Sequence, residues 1–134
     1  MAKKFTLKKD ERLKRRKIIE QLFSEGKSVV VFPIRVQYKM YDQTLATPLQ
    51  AGFSASSRNF KKAVDRNRIK RLMREAYRLQ KGSLQEALQT KQQQLALFFI
   101  YTGKELPDFK TVSEKTGVIL NKLLSILPHR QIDT

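Results

Sequence analysis

Ala63-Val64-Asp65-Arg66-Asn67-Arg68-Ile69-Lys70-Arg71-Leu72-Met73-Arg74-Glu75-Ala76-Tyr77-Arg78 reads as a helix with two unlike faces. Stepping 100° per residue from Val64 to Gln80 gathers Ile69, Leu72, Met73, Ala76, Tyr77 and Leu79 on one side. Arg66, Asn67, Lys70, Arg71, Arg74 and Arg78 fall on the other. One face is built to pack and the other to meet negative charge. From Arg58 to Lys81 the chain carries ten basic residues against Asp65 and Glu75 alone.

A second basic run lies upstream. Residues 3–17 hold nine basic and two acidic residues (+7), residues 58–81 hold ten and two (+8), and the remainder nine and eight (+1). Nearly all of the +16 net charge therefore sits in two segments, which points to a polyanionic partner, with nucleic acid first. The 40% apolar content and eight Phe are ordinary for a globular protein. At 134 residues the expectation is one domain, residues 1–134, with an ordered core over about 5–127.

Around the basic helix the sequence predicts a mixed α/β order. A first helix is expected from Glu11 to Ser24, capped by Asp10 and ended by Gly26, with Leu13, Ile18, Ile19, Leu22 and Phe23 apolar. Ser28–Tyr41 reads as one strand with a bulge or edge at Pro33; Phe32, Ile34, Val36, Tyr38 and Met40 alternate with Arg35, Gln37 and Lys39. Leu49–Ser56 alternates again and is expected to pair antiparallel with it. Gly82–Gln94 is polar and is expected to be a loop with a short helical piece. Leu95–Thr102 is a continuous apolar run suited to an internal strand buried on both faces, parallel to a neighbour. Thr111 and Glu114 form a capping box before a last helix with Val112, Ile119, Leu120, Leu123, Leu124 and Leu127 as its packing stripe.

The chemistry inventory is sparse. There is no cysteine, and the sole histidine, His129, follows Pro128 near the end of the chain. The carboxylates are dispersed, and Glu75 is expected to pair with Arg71 at i,i−4. Five scattered glycines make no phosphate loop. No catalytic residue and no protein metal site are expected, so the chain reads as a binding subunit. No apolar stretch is long enough for a signal peptide or membrane span, so the cytoplasm is the expected location.

The Arg66-Asn67-Arg68 core of the helix, Glu11-Arg12-Leu13, and Leu22-Phe23-Ser24-Glu25-Gly26-Lys27-Ser28 resemble the protein subunit of bacterial ribonuclease P, with element order agreeing over about residues 5–127. The resemblance implies an α+β domain of order αβββαβα, with a mixed sheet and a left-handed βαβ crossover (ribosomal protein S5 domain 2-like). It implies that a catalytic RNA, with bound Mg²⁺, removes the 5′ leader of precursor tRNA while the protein binds both RNAs; no obligate protein partner is implied. Contacts to the catalytic RNA then fall to Arg58, Lys61, Lys62, Arg66, Asn67, Arg68, Lys70, Arg71, Arg74 and Arg78. Arginine supplies a planar fork for phosphate oxygens, and Asn67 an uncharged donor and acceptor for sugar or base edges. A plainer reading of Asn67, a backbone bond near the helix start, is compatible.

A leader cleft between the first helix and the sheet would use Phe23, Arg35, Gln37 and Lys39, because a single strand is held by stacking platforms and cations. Phe23 as a core residue is the competing reading. Ile19 and Gln37 stand where the family is commonly aromatic, which implies less stacking and more electrostatics. Lys61 stands where glycine is common, with Asn59 as a candidate cap and Phe60 as a candidate staple. The main rival is a ribosomal or ribosome-assembly protein; a DNA-binding regulator would need a helix-turn-helix spacing that is missing here.

Overall fold

In the computed structural model, which describes residues 9–42 and 45–127, a short 3-10 turn (Lys9–Glu11) leads into α1 (Arg16–Glu25). There follow β1 (Lys27–Val31), β2 (Ile34–Tyr41), β3 (Leu49–Ala55), α2 (Ala63–Gln80), α3 (Gly82–Lys91), β4 (Gln94–Tyr101) and α4 (Phe109–Ile126). The sheet order is β1-β2-β4-β3. β4 runs antiparallel to β2 and parallel to β3. The continuous apolar run thus becomes an internal strand, as its lack of alternation predicts.

Alternation of side chains divides the two faces of the sheet. Leu95, Leu97, Phe99 and Tyr101 of β4 join Ile34, Val36, Leu49 and Ala51 in the main core, closed by Ile69, Met73, Ala76 and Tyr77 of α2 and by Val112, Ile119, Leu120 and Leu123 of α4. Phe53 stacks on Phe99, and Tyr77 meets both rings edge-on. On the opposite face a smaller core holds Leu13, Ile18, Leu22, Leu45 and Ala96, with Ile19, Tyr41 and Phe98 packed at its margin. Because α1 is only ten residues long, it covers part of that face and leaves the rest open.

Five local expectations need correction. Residues 28–41 form not one strand but a hairpin: Pro33 has no N–H to donate to a ladder, the chain reverses at Phe32–Pro33, and β1 pairs antiparallel with β2 from Lys27↔Tyr38 to Val31↔Ile34. β2 and β3 are not neighbours, because β4 lies between them. The first helix starts at Arg16, not Glu11, and Asp10 is not its cap. Residues 11–14 alternate buried Glu11 and Leu13 with exposed Arg12 and Lys14, an extended pattern, and the Leu13 N–H donates to the Ala51 carbonyl at 2.9 Å. Gly82–Lys91 is a ten-residue helix rather than mostly loop, held by buried Leu84 and Leu88. The cap of α4 is Asp108, whose carboxylate accepts the Thr111 N–H at 2.9 Å.

Gly26 does end α1: its N–H donates to the Leu22 carbonyl, and a β-carbon there would lie 2.5 Å from that oxygen and 2.8 Å from the Tyr38 carbonyl. His129, Pro128 and the part of the first basic run before Lys9 lie outside the described residues.

Candidate nucleic-acid interface

α2 is fixed by its apolar stripe. Ile69, Met73, Ala76 and Tyr77 are fully buried, so the orientation of the opposite face is set by core packing. On that opposite face Asn67, Arg68 and Arg71 are exposed, and Lys70, Arg74 and Arg78 are half-buried. The i,i+4 series Arg66, Lys70, Arg74, Arg78 drifts about 40° per step, so it winds around the helix instead of forming one straight ladder. Arg74 lies with its guanidinium 6.0 Å from the Phe53 ring centre, at the seam between α2 and the sheet. Leu79, expected on the packed side, is exposed, since the buried arc is narrower than half of the helix.

Arg66 and Arg78 are hydrogen-bonded within the protein. Arg66 donates from Nη1 to the carbonyls of Phe60 (2.7 Å) and Lys61 (2.9 Å), tying the loop before α2 to the first turn of the helix. Arg78 forks onto Glu75 at 3.1 and 2.5 Å. This corrects the expected Glu75–Arg71 pair: Glu75 engages its i+3 neighbour and leaves Arg71 outward. That hydrogen bond, ahead of the charge itself, holds the Glu75 carboxyl below its usual value.

The segment before α2 is clamped from behind. Asn59 donates from Nδ2 to the carbonyls of Thr102 (3.4 Å) and Gly103 (3.2 Å), so it ties the loop to the end of β4 rather than capping the helix. Phe60 is buried against Tyr101. With the loop anchored through these two, Arg58, Lys61 and Lys62 are exposed.

The N-terminal segment runs beside β3, with Arg12 bridged to Ala51. Arg12, Lys14, Lys70 and Arg74 line a cleft of about 210 Å³ floored by Leu13, Ala51, Gly52 and Phe53. Basic residues more than fifty positions apart in sequence, Arg12 and Lys14 on one side and Lys70 and Arg74 on the other, are thus adjacent in space.

Around the edge of β3, Gly52 leads to the open sheet face. Phe98 crosses over Gly52 so closely that a β-carbon there would lie 2.6 Å from its ring. Phe23, 51% exposed at the end of α1, meets Phe98 edge-on with centroids 5.5 Å apart. Arg35 is exposed on this face, beside Val30 and Ile100 in the sheet register. Phe23 is therefore a surface aromatic, not a core residue.

The other two expected cleft residues are placed differently. Gln37 is only 4% exposed, donating to the Leu22 carbonyl at 2.9 Å and accepting from Arg35 at 3.1 Å. Its place on an internal strand beneath α1 removes it from the contact surface and makes it a support for Arg35. Lys39 is half-buried, 3.6 Å from the Glu25 carboxylate and 5.2 Å from the Tyr41 ring centre, below the end of α1. Phe98 was not singled out by sequence, because an unbroken apolar run does not tell which face stays open.

A small α+β domain with one cationic helix face, a cationic seam and an open aromatic patch on the other side of its sheet defines a class of domain suited to polyanion recognition. The chain belongs to the ribonuclease P protein family: the Ribonuclease P family model matches residues 7–124. It is 40% identical over 124 residues to the ribonuclease P protein component of Porphyromonas gingivalis, covering 92% of this chain and 90% of that one. It is 30% identical to that of Chlorobium phaeobacteroides, covering 88% of each. Among solved structures, the ribonuclease P protein of Thermotoga maritima aligns at TM-score 0.63 and 28% identity, over 88% of this chain and 99% of that one. That of Staphylococcus aureus aligns at TM-score 0.64 and 17% identity over 90% and 100%, a likeness of fold. Among the described residues no helix is long and apolar enough to cross a membrane.

Proposed function

We propose that this chain acts in the cytoplasm as the RNA-binding protein subunit of ribonuclease P, holding the catalytic RNA along α2 and its seam and the 5′ leader of precursor tRNA across the open sheet face. The observation that carries the reading is the outward triplet Asn67, Arg68 and Arg71 on a helix whose opposite side is locked in the core. Cations held on a rigid element can match phosphate spacing with little loss of freedom on binding. Arg58, Lys61 and Lys62 extend that surface at one end, and Lys70, Arg74 and Arg78 continue it. Arg66 acts indirectly, by holding the loop.

For the leader, Phe23 and Phe98 offer an aromatic corner on which a base can stack, and Arg35 offers a cation. Gln37 orients Arg35, and Lys39 contributes charge at the rim. Leader recognition by stacking and charge tolerates varied sequences, as a processing enzyme with many substrates requires.

Bond cleavage is assigned to the RNA subunit. Among the described residues no group of three or more histidine, cysteine, aspartate or glutamate side chains could hold a metal ion. On this reading Mg²⁺ is held mainly by the RNA subunit, and the chain's own residues bind and orient the two RNAs. The test is reconstitution: adding the protein to a bacterial ribonuclease P RNA should raise cleavage of precursor tRNA at low Mg²⁺. Unchanged cleavage and unchanged substrate affinity would reject the proposal, and cleavage by the protein alone would reject the division of labour.

A further inference from the structure

Glu11 and Lys81, seventy residues apart, form a carboxylate–ammonium contact with Lys81 2% and Glu11 7% exposed. Taking two charges out of water is costly, and a well-packed apolar pair in such a place is often as stable or more so. Stability alone is therefore a weak reason for the pair. What the pair does geometrically is specific. Lys81 sits at the end of α2, and Glu11 ends the turn from which the N-terminal segment emerges. With Glu11 and Leu13 inward, the alternation of an extended chain turns Arg12 and Lys14 outward, onto the cleft they share with Lys70 and Arg74. Gln50 adds a second hold, donating to the Asp10 carbonyl at 2.7 Å.

We propose that the buried Glu11–Lys81 pair is a positioning device that sets the register of the N-terminal segment on α2, so that Arg12 and Lys14 complete one continuous phosphate-binding seam with Lys70 and Arg74. This rests on the reading of α2 as an RNA-binding face. An apolar contact in place of the pair could slide, whereas a buried carboxylate and ammonium must meet with matching geometry and so favour one alignment. The cations of the two basic stretches then act as a single array.

The test measures affinity of the full chain for a bacterial ribonuclease P RNA over a salt series. Arg12→Ala/Lys14→Ala changes exposed residues only and should make the slope of log affinity against log salt shallower by about 1.5, with roughly tenfold or greater loss of affinity at 0.1 M salt. Glu11→Gln and Lys81→Met should each produce a comparable fall, and neither should lower affinity further when added to Arg12→Ala/Lys14→Ala. A fall of the same size in both backgrounds would mean general structural damage and overturn the proposal. Should either single variant fail to fold by circular dichroism, Glu11→Met/Lys81→Met, which removes both charges of the pair, replaces it with the same two outcomes. Arg68→Ala separates the levels. If Arg68→Ala weakens binding while Arg12→Ala/Lys14→Ala leaves the slope unchanged, the positioning inference fails alone; if neither has an effect, the reading of α2 as an RNA-binding face fails with it.

Discussion

The Phe23 ring meets Phe98 edge-on, 5.5 Å between centroids and 70° between planes, joining the end of α1 to the middle of β4 on the open face of the sheet. Half of Phe23 is exposed, so the pair forms a corner with one wall from each element. If this corner stacks leader bases, Phe23→Ala should weaken binding of the reconstituted enzyme to precursor tRNA by about 1–2 kcal/mol, roughly 5- to 30-fold. Binding of mature tRNA, which lacks the leader, should be unchanged. Equal losses for both RNAs would place leader contact elsewhere.

Gly52 is where that corner is most sensitive to added volume. A β-carbon at 2.6 Å from Cδ1 and Cε1 of Phe98 forces the ring to shift, and Phe23 packs against that same ring. Gly52→Ala is expected to destabilise the fold by about 1–3 kcal/mol, the usual cost of overpacking, and to reduce leader-dependent affinity in the same variant. Equilibrium denaturation and precursor tRNA binding test the two parts; a variant equal to the parent in both would show that Phe98 moves freely.

Arg66 and Arg68, two residues apart, should behave oppositely. Arg66 bonds two loop carbonyls, so Arg66→Ala is expected to lower stability by about 1–2 kcal/mol, and Arg66→Lys to recover part of it, since one ammonium nitrogen can donate to two carbonyls but reaches one bond less far. Arg68 is exposed; Arg68→Ala should change stability by less than about 0.5 kcal/mol while making the salt dependence of RNA affinity shallower by about 0.7–0.9. Chemical denaturation and a salt series on the same two proteins decide the matter. A destabilised Arg68→Ala with unaltered RNA binding would reverse the assignment.

Periodicity made the helix faces legible because it is a local property: Ile69, Met73, Ala76 and Tyr77 are buried where a 3.6-residue repeat places them. The internal strand was legible for the same reason, as a run with no polar side. Strand neighbours were not, because pairing is decided by long-range contacts that leave no mark in a short window. The hairpin hid behind Phe32, which falls in step with Ile34 and Val36 on paper, and the break that Pro33 signals reads as a bulge or edge, while the backbone in fact reverses. In the candidate site, charge type and helix face could be read directly. The seam of Arg12, Lys14, Lys70 and Arg74 could not, since it depends on residues 11–14 lying extended beside β3 instead of joining α1. Gln37 illustrates the remaining gap: the polar side of an alternating strand predicts a face, and only the placement of α1 shows that this part of the face is covered.

Asp108 provides a pH-dependent test of the fold that is independent of RNA. The Thr111 hydroxyl, then the Thr111 backbone N–H, hydrogen-bond its carboxylate and hold its pKa below the usual value, with Lys110 adding to the shift and desolvation opposing it. A carboxyl with a depressed folded-state pKa contributes stability that is fully present above its unfolded value and is lost as the pH falls through the folded value. Asp108→Ala should therefore melt at a lower temperature than the parent at neutral pH, because the first turn of α4 loses its cap. The gap between the two proteins should narrow as acid protonates Asp108 in the parent. Asp108→Asn, which keeps a capping oxygen without a titrating charge, should show a gap from the parent that also shrinks in acid but starts smaller. Melting curves from neutral pH to below the ordinary carboxylate range would test this, and a parent-to-alanine gap constant over that whole range would mean that the Asp108 charge contributes nothing to α4.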